Sequence, residues 1–273
     1  MNCRKKYDTL NKEKKVILTG DYHTHTPYSH GKNSVDENVA KAKEVGLKQI
    51  AITDHGFSHV AFGLRRYQVK KYIADCKAAA DKYGIDVLVG VESNIRGVDG
   101  KGDLKKSDYE NFDVYLCGNH IFIWYDTFLD WAYYGLGNVF SRELFKHPSK
   151  KMIDNNTKAY IQAIKNNPID AVTHLNYLCP ANALEVAKCA ADYGTYIELN
   201  AKKKHLTDEE LSEIVIKTDA RFIINSDAHS AKRVGDTKIV EEQLKRTNFP
   251  MERIDNVDGK YPNFRFAEFK KHL

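Results

Sequence analysis

The stretch VILTGDYHTHTPYSHG, residues 16–31, joins an apolar run to a cluster of histidines. Its aliphatic and β-branched start is typical of a strand buried on both faces of a parallel sheet. His23, His25 and His30 follow at once, and they are three of the eleven histidines in the chain. Because residues two apart on a strand point to the same side, His23 and His25 can reach one metal ion. The stretch therefore predicts a strand whose carboxyl end carries a metal site.

Six further apolar runs repeat this pattern along the chain. They lie at residues 49–54, 85–92, 113–118, 169–174, 195–200 and 221–227. Segments with helical periodicity separate most of them, at residues 34–45, 66–83, 157–167, 181–193 and 207–217. The first of these begins with an N-cap, Ser34, three residues before Glu37, and ends at Gly46. About seven strand–helix units predict an α/β fold, and they fit a closed parallel barrel better than an open sheet.

Length and charge limit the class of protein. The 273 residues suffice for one large α/β domain or two small ones, and no Pro-, Ser- or Gly-rich linker divides them. We therefore expect a single domain over residues 1–273, with a polar extension at residues 1–15. Forty-two Lys and Arg against 37 Asp and Glu give a formal net charge of +5. This bias is too weak to predict a stable nucleic-acid partner, but it would suit an anionic substrate.

Cysteine usage and hydropathy indicate the compartment. The five cysteines are scattered and contain no CxxC pair, which is typical of a reduced, cytoplasmic protein. Residues 1–15 are polar and lack the apolar core of a secretory signal. The most aromatic stretch, residues 121–140, is interrupted by Asp126 and Asp130, so we expect no membrane span.

Side chains that can bind metals follow six of the seven predicted strands. They are His23, His25, Asp54, His55, Glu92, His120, His174, Asp227 and His229. A parallel barrel opens all its strand carboxyl ends onto one face, so these side chains and His30 would converge there. One strand-end histidine alone is more often structural, but the joint pattern favours a metal site. Seven imidazoles with Glu92 and Asp227 exceed the ligands of one zinc-like ion, which indicates two or three ions with Glu92 or a water bridging a pair.

Several residues stay outside this set. The strand at residues 195–200 adds no obvious ligand, although Glu198 and Asn200 could line the site. Four histidines are expected at the surface, namely His59, His147, His205 and His272.

The same residues resemble the motifs of the PHP (polymerase and histidinol phosphatase) family. DYHTH at residues 21–25 is similar to its first motif, D-x-H-x-H, and TDHG at residues 53–56 to its second. Glu92 in GVESN is similar to the third motif, and NSDAH at residues 225–229 to the last. The further histidines of the family are matched by His30, His120 and His174. The resemblance implies a distorted (β/α)7 TIM-like barrel, with a trinuclear metal site at the C-terminal ends of the strands, and phosphoester hydrolysis.

The resemblance also implies how the ligands divide among three divalent metal ions. One metal would be held by His23, His25, Glu92 and Asp227, a second by Glu92, His120 and His174, and a third by His30, His55 and His229. The catalytic candidates are Glu92, Asp227 and His229. Asp21 and Asp54 are plausible acceptors for imidazole N–H groups. Histidine-rich ligation favours Zn over Mg, and Mn or Fe is also compatible.

Two departures from the family bear on the substrate. The family often has Pro-Gly after the fifth-strand histidine, where this chain has Leu175 and Asn176. The aromatic segment at residues 121–140 is longer than in compact members, and it is either a lid over a small-molecule pocket or ordinary helix packing. Arg65 and Arg66 could clamp a phosphate, or they could simply be solvated at a helix start.

The function that follows is a metal-dependent phosphoesterase. It would hydrolyse small-molecule phosphate monoesters, with histidinol phosphate as one candidate partner, by a metal-activated hydroxide. One alternative is a PHP-type nuclease or phosphodiesterase acting on nucleotides or oligonucleotides, and another is a metal-binding module without turnover. Amidohydrolases also begin with H-x-H on a barrel strand, but no predicted strand here ends in the lysine that would bridge their metals. Oligomeric state stays open.

Overall fold

Seven short parallel strands form the centre of the structure, a computed structural model that describes residues 16–140 and 148–273. The polar extension predicted at residues 1–15 lies outside the described residues. The strands are β1 (Gly20–Asp21), β2 (Gln49–Ile52), β3 (Asp86–Asn94), β4 (Val114–Gly118), β5 (Ala171–Val172), β6 (Tyr196–Asn200) and β7 (Phe222–Asn225). They pair in sequence order, each parallel to the next. The predicted barrel of strand–helix units is therefore confirmed.

Helices cover the outside of the strands. They are α1 (Val35–Glu44), α2 (Val69–Tyr83), α3 (Gly137–Phe140), α4 (Lys150–Asn166), α5 (Ala183–Tyr193), α6 (Asp208–Lys217), α7 (Lys238–Thr247) and α8 (Arg265–Lys270). Ser34 caps α1 as predicted, because its hydroxyl accepts from the Glu37 backbone N–H while Glu37 accepts from the Ser34 N–H. α4 begins seven residues before its predicted start, since Ser149 caps it by accepting from the Met152 N–H.

The barrel closes between β1 and β7 at the motif residues themselves. Thr24 forms a parallel bridge with Ala228, in which the His25 N–H donates to the Ala228 carbonyl over 2.8 Å. The Asn256 side chain adds a second link, because its amide donates to the carbonyls of both Gly20 and Ile224. The barrel is thus nearly closed, and its closing contact holds the first and last motifs side by side.

Alternating side chains along the strands build two apolar layers. On β2, Ile50 and Ile52 pack toward the helices, whereas Ala51 belongs to the cluster inside the barrel. The members of that inner cluster are Tyr22, Ala51, Val114, Leu116, Ala171, Tyr196, Ile223 and Phe264. Both faces of the strands are buried against apolar side chains, which explains the near-continuous apolar runs in the sequence. The polar residues therefore lie at the ends of the strands.

The aromatic segment at residues 121–140 is held by the loop after β2. Val60 donates its N–H to the Phe122 carbonyl, and the Trp124 N–H donates to the Ser58 carbonyl. A π-helical turn, Asp130–Leu136, follows before α3. None of the helices in the described part of the chain has the length and apolar character needed to cross a membrane.

Candidate metal centre

The carboxyl ends of the strands open into a cavity of about 570 Å³. Seven of the nine predicted ligands line it, namely His30, His55, Glu92, His120, His174, Asp227 and His229. The other two, His23 and His25, are fully buried beneath it. The structure therefore brings all nine predicted ligands to one end of the barrel.

Glu92 is at the centre of this group. Its carboxylate is fully buried at the end of β3 and is approached by five imidazoles. Its oxygens lie 2.6 Å from His174 Nε2, 2.8 Å from His55 Nδ1, 3.3 Å from His23 Nε2, and 3.6 Å from both His25 Nε2 and His120 Nε2. One carboxylate that faces five ring nitrogens has the geometry of a bridging ligand.

Asp227 provides the second carboxylate of the site. Its Oδ1 lies 3.1 Å from His229 Nδ1, 3.5 Å from His25 Nε2 and 3.9 Å from His23 Nε2. His25 therefore faces both carboxylates. The two acids and the imidazoles between them form a continuous polar layer across the barrel.

The nitrogen and oxygen donors fall into four overlapping groups of three. Within each group the donor atoms lie within 4.8 Å of one another. The groups are His25, His55 and His229; His23, His25 and Asp227; His23, Glu92 and His174; and His55, Glu92 and His120. His30 belongs to none of these groups, but its ring centroid lies 4.8 Å from that of His55 and 4.3 Å from that of His229, at the exposed rim.

Charge within the site is unevenly distributed. Burial raises the pKa of Glu92, but the imidazoles of His23, His120 and His174 overcome this effect and hold it well below its ordinary value. Burial likewise raises the pKa of Asp227, and His23 is the main group that brings it well below normal. Burial, followed by His55, lowers the pKa of His25 well below its usual range. Anionic carboxylates therefore face a neutral imidazole with a free lone pair, an arrangement that suits a cation.

Unpartnered buried atoms show that the residues fit metal ions. Within the described residues, Nε2 of His23 and Nε2 of His25 are buried and form no hydrogen bond, and His55 Nδ1 and Glu92 Oε2 form none either, although they lie 2.8 Å apart. A buried polar atom left unpaired costs about 1–3 kcal/mol. Imidazole nitrogens with carboxylate oxygens are the donors that Zn, Mn and Fe accept, so bound divalent ions would satisfy these atoms.

A layer of hydrogen bonds behind these residues fixes the ring directions. Glu198, on β6, accepts from His23 Nδ1 at 2.7 Å, which turns the Nε2 atom of His23 toward Glu92 and Asp227. Asn94 Oδ1 lies 2.7 Å from His120 Nδ1. Burial raises the pKa of Glu198, but His23 reverses this effect and lowers the pKa below its ordinary value. The sequence predicted only that Glu198 could line the site, whereas the structure shows that it orients His23.

Asp21 and Asp54 differ from their predicted role. Among the described residues, neither carboxylate accepts from an imidazole. Asp54 accepts from the Thr26 N–H and from the hydroxyls of Thr26 and Ser29. Asp21 accepts backbone N–H groups, including those of Ser226 and Gly235. Both acids shape the loops that carry the histidines, because they satisfy backbone donors that the short strands leave free.

The backbone is strained at two of the predicted ligands. His174 has φ of 30° and Asp227 has φ of 46°. Such conformations cost on the order of 1–3 kcal/mol each and are concentrated at functional sites. Asn176 has φ of 75° at the position where the family often has Gly, and asparagine tolerates this left-handed region better than most residues. Asn176 can thus adopt the left-handed conformation that a glycine would adopt at this position.

Arg65 and Arg66 do not fit the phosphate-clamping role. Arg65 donates to the carbonyls of His59 and Val60. Arg66 pairs with Asp108 at 2.8 Å and lies over the Phe57 ring. Neither arginine is among the described residues that line the cavity.

Two histidines expected at the surface belong to the cavity. His59 is buried and stacks on His55 with ring centroids 5.0 Å apart. His205 packs edge-on against Tyr177 at 5.2 Å, and both line the cavity. The surface prediction is wrong for both, because their loops fold inward over the barrel mouth. His272 is exposed as predicted, and His147 lies outside the described residues.

Asn94 offers a test of the supporting layer. Its amide donates to Asp103 at 2.7 Å and to the Ser58 hydroxyl, so its oxygen must face His120. We expect Asn94→Leu to weaken metal binding about 10- to 100-fold, since the His120 ring loses the acceptor that orients it. Competition with a chromophoric chelator would measure this change. Asn166→Leu, at the end of α4, is the control, and equal affinity in both variants would contradict the role.

Comparison with known proteins agrees with this geometry. The protein is a parallel α/β barrel, and the imidazoles and carboxylates at its rim are the side chains of a candidate metal site. The PHP domain profile matches residues 21–202. A probable phosphatase of Caldanaerobacter subterraneus subsp. tengcongensis is 30% identical over 254 residues, 89% of each chain. Another, from Proteus mirabilis, is 28% identical over 267 residues, 93% of this chain and 96% of the relative. The chain belongs to the PHP family, as the motifs predicted.

Solved structures share the fold. A histidinol phosphate phosphatase from Lactococcus lactis subsp. lactis, in complex with Zn, L-histidinol and phosphate, aligns with a TM-score of 0.57 at 16% identity, over 85% of this chain and 95% of that one. A protein from Listeria monocytogenes aligns with a TM-score of 0.51 at 12% identity, over 81% and 99%. These likenesses show the same barrel architecture.

Proposed function

We propose that this chain is a metal-dependent phosphatase that hydrolyses small-molecule phosphate monoesters. The observation that carries the proposal is the buried Glu92 carboxylate among five imidazoles, with unpartnered donor atoms around it, beneath an open cavity. The names of the full-length relatives, probable phosphatases, support the same class.

The residues present would hold three divalent ions, with Zn as the first choice and Mn or Fe as alternatives. The overlapping donor groups supply the ligands, with His30 completing the exposed end. A structural neighbour that holds Zn supports this choice. Bound divalent ions would lower the pKa of water and offset the charge of the phosphoryl oxygens.

Lys202 takes the place of the arginines as the phosphate-binding residue. Its Nζ lies 3.2 Å from Asp227 Oδ1 and 3.0 Å from His229 Nδ1, and its side chain, which lines the cavity, is 44% exposed. The ammonium group can therefore reach a phosphoryl oxygen beside the metal ligands while it neutralises negative charge. The loop after β6 thus contributes to the site although its strand ends in no metal ligand.

The shape of the cavity favours a small ester. Its volume of about 570 Å³ is typical of small-molecule sites. Ile121 and Phe122, at the start of the aromatic segment, line it. We infer that this part of the segment acts as a partial lid.

Release of inorganic phosphate tests the function. Protein loaded separately with Zn or Mn would be given L-histidinol phosphate, phenyl phosphate and a short oligonucleotide. We expect phosphate from at least one monoester and no cleavage of the oligonucleotide. Cleavage of the oligonucleotide alone would favour the nuclease, and no turnover of any of the three would favour the metal-binding module.

A further inference from the structure

One side of the cavity mouth is cationic. Lys202, Lys203 and His205, from the loop after β6, all line the cavity. Lys202 is engaged with Asp227. The Lys203 side chain is exposed, and within residues 16–140 and 148–273 its ammonium group forms no ion pair. A free positive charge is therefore available at the rim, beyond the charge that would bind the phosphoryl group.

The other side of the mouth is apolar. Phe62, from the loop after β2, and Ile121 and Phe122, from the loop after β4, line the same cavity. Phe62 and Phe122 are 46% and 72% exposed, so both present apolar surface at the cavity. In the nearly closed barrel β7 and β1 separate β6 from β2, so Phe62 and Lys203 enter the cavity lining from loops on different strands.

The cavity offers no free carboxylate to an ammonium group. Among the described residues that line it, the only acids are Glu92 and Asp227. Both are surrounded by imidazoles at the site assigned to metal ions. A substrate ammonium group would therefore find no acidic partner, and the two lysines would repel it.

On the basis of the proposed function, we propose that the substrate is a phosphate monoester with an apolar leaving group that carries a second anionic group. The phosphoryl group would lie between the metal ligands and Lys202. The apolar part would contact Phe62 and Phe122, and the second anion, a carboxylate or another phosphate, would pair with Lys203. An aminated ester such as L-histidinol phosphate would be a poor substrate.

Three esters with matched leaving groups test this inference: phenyl phosphate, 4-(carboxymethyl)phenyl phosphate and 4-(aminomethyl)phenyl phosphate. We expect the wild-type protein to favour the carboxylated ester over the aminated one in kcat/KM, and Lys203→Glu to shift that ratio at least about fivefold toward the amine. Comparing ratios between proteins cancels the intrinsic reactivity of each ester. Lys204→Glu is the matched control, because it changes the net charge equally but pairs with Asp208 outside the cavity lining.

Binding separates the inference from the function on which it rests. Calorimetry with phenylphosphonate and 4-(carboxymethyl)phenylphosphonate, which cannot be hydrolysed, would be run on metal-loaded protein. Tighter binding of the carboxylated compound, lost in Lys203→Glu and kept in Lys204→Glu, supports the inference even if no ester turns over. Equal binding of the two compounds, or equal ratios in all three proteins, would overturn it, whereas absence of turnover alone would count only against the proposed phosphatase.

Discussion

We expect Glu92→Gln to reduce phosphate release by at least about a thousandfold. Loss of a hydrogen-bond partner behind a metal ligand typically costs 10- to 100-fold, and loss of a ligand shared between ions should cost more. The amide keeps the shape of the side chain but removes the charge that faces five imidazoles, and its NH2 group cannot bind a metal ion. Measurement of kcat/KM together with metal content per chain would show both effects.

The control for this variant is Glu44→Gln, at the exposed end of α1, where the side chain pairs with Lys41 at the surface. It makes the same chemical change and should leave kcat/KM and metal content unaltered. If Glu92→Gln kept its full metal content and lost less than tenfold in kcat/KM, Glu92 would not be the bridging ligand.

Glu198→Gln is expected to have the next largest effect. The buried carboxylate accepts from His23 Nδ1, the His174 N–H, and the side-chain amides of Asn200 and Asn225. A glutamine side chain would turn its own NH2 group toward at least one of these donors and leave it unsatisfied. We expect metal affinity to fall about 10- to 100-fold and the protein to become less stable by about 1–3 kcal/mol.

Two measurements would examine Glu198 separately. Urea unfolding of metal-free protein reports the hydrogen-bond loss alone, and chelator competition reports the orientation of His23. Glu213→Gln, on the surface of α6, provides the comparison. Lower stability with unchanged metal affinity would mean that Glu198 supports the fold but not the metal ligands.

The sequence predicted the barrel and the positions of the candidate metal ligands because both follow local rules. Apolar runs located all seven strands, and parallel strands place their carboxyl ends on one face. Six strands are shorter than predicted and β3 is one residue longer. β1 covers only residues 20–21, because Leu18 pairs with Val257 in the C-terminal segment and not with β2.

Loop residues were not predictable in the same way. His59 enters the cavity because its loop pairs with Ile123, a contact between residues more than sixty positions apart. Arg66 does not reach the cavity because it pairs with Asp108, a residue that follows β3 in the sequence. Lys202 stood in the sequence only as part of a basic run. In each case a long-range contact, which no local pattern encodes, decides where the side chain lies.

Metal titration of the stripped protein tests the central claim most directly. The protein would be freed of metal with a chelator, and phosphate release from the best monoester would be followed while Zn or Mn is added back. We predict no release above background before addition, and recovery that needs more than one equivalent of metal per chain and approaches its limit near three. Full activity of the stripped protein, or recovery complete at one equivalent, would contradict the multinuclear site.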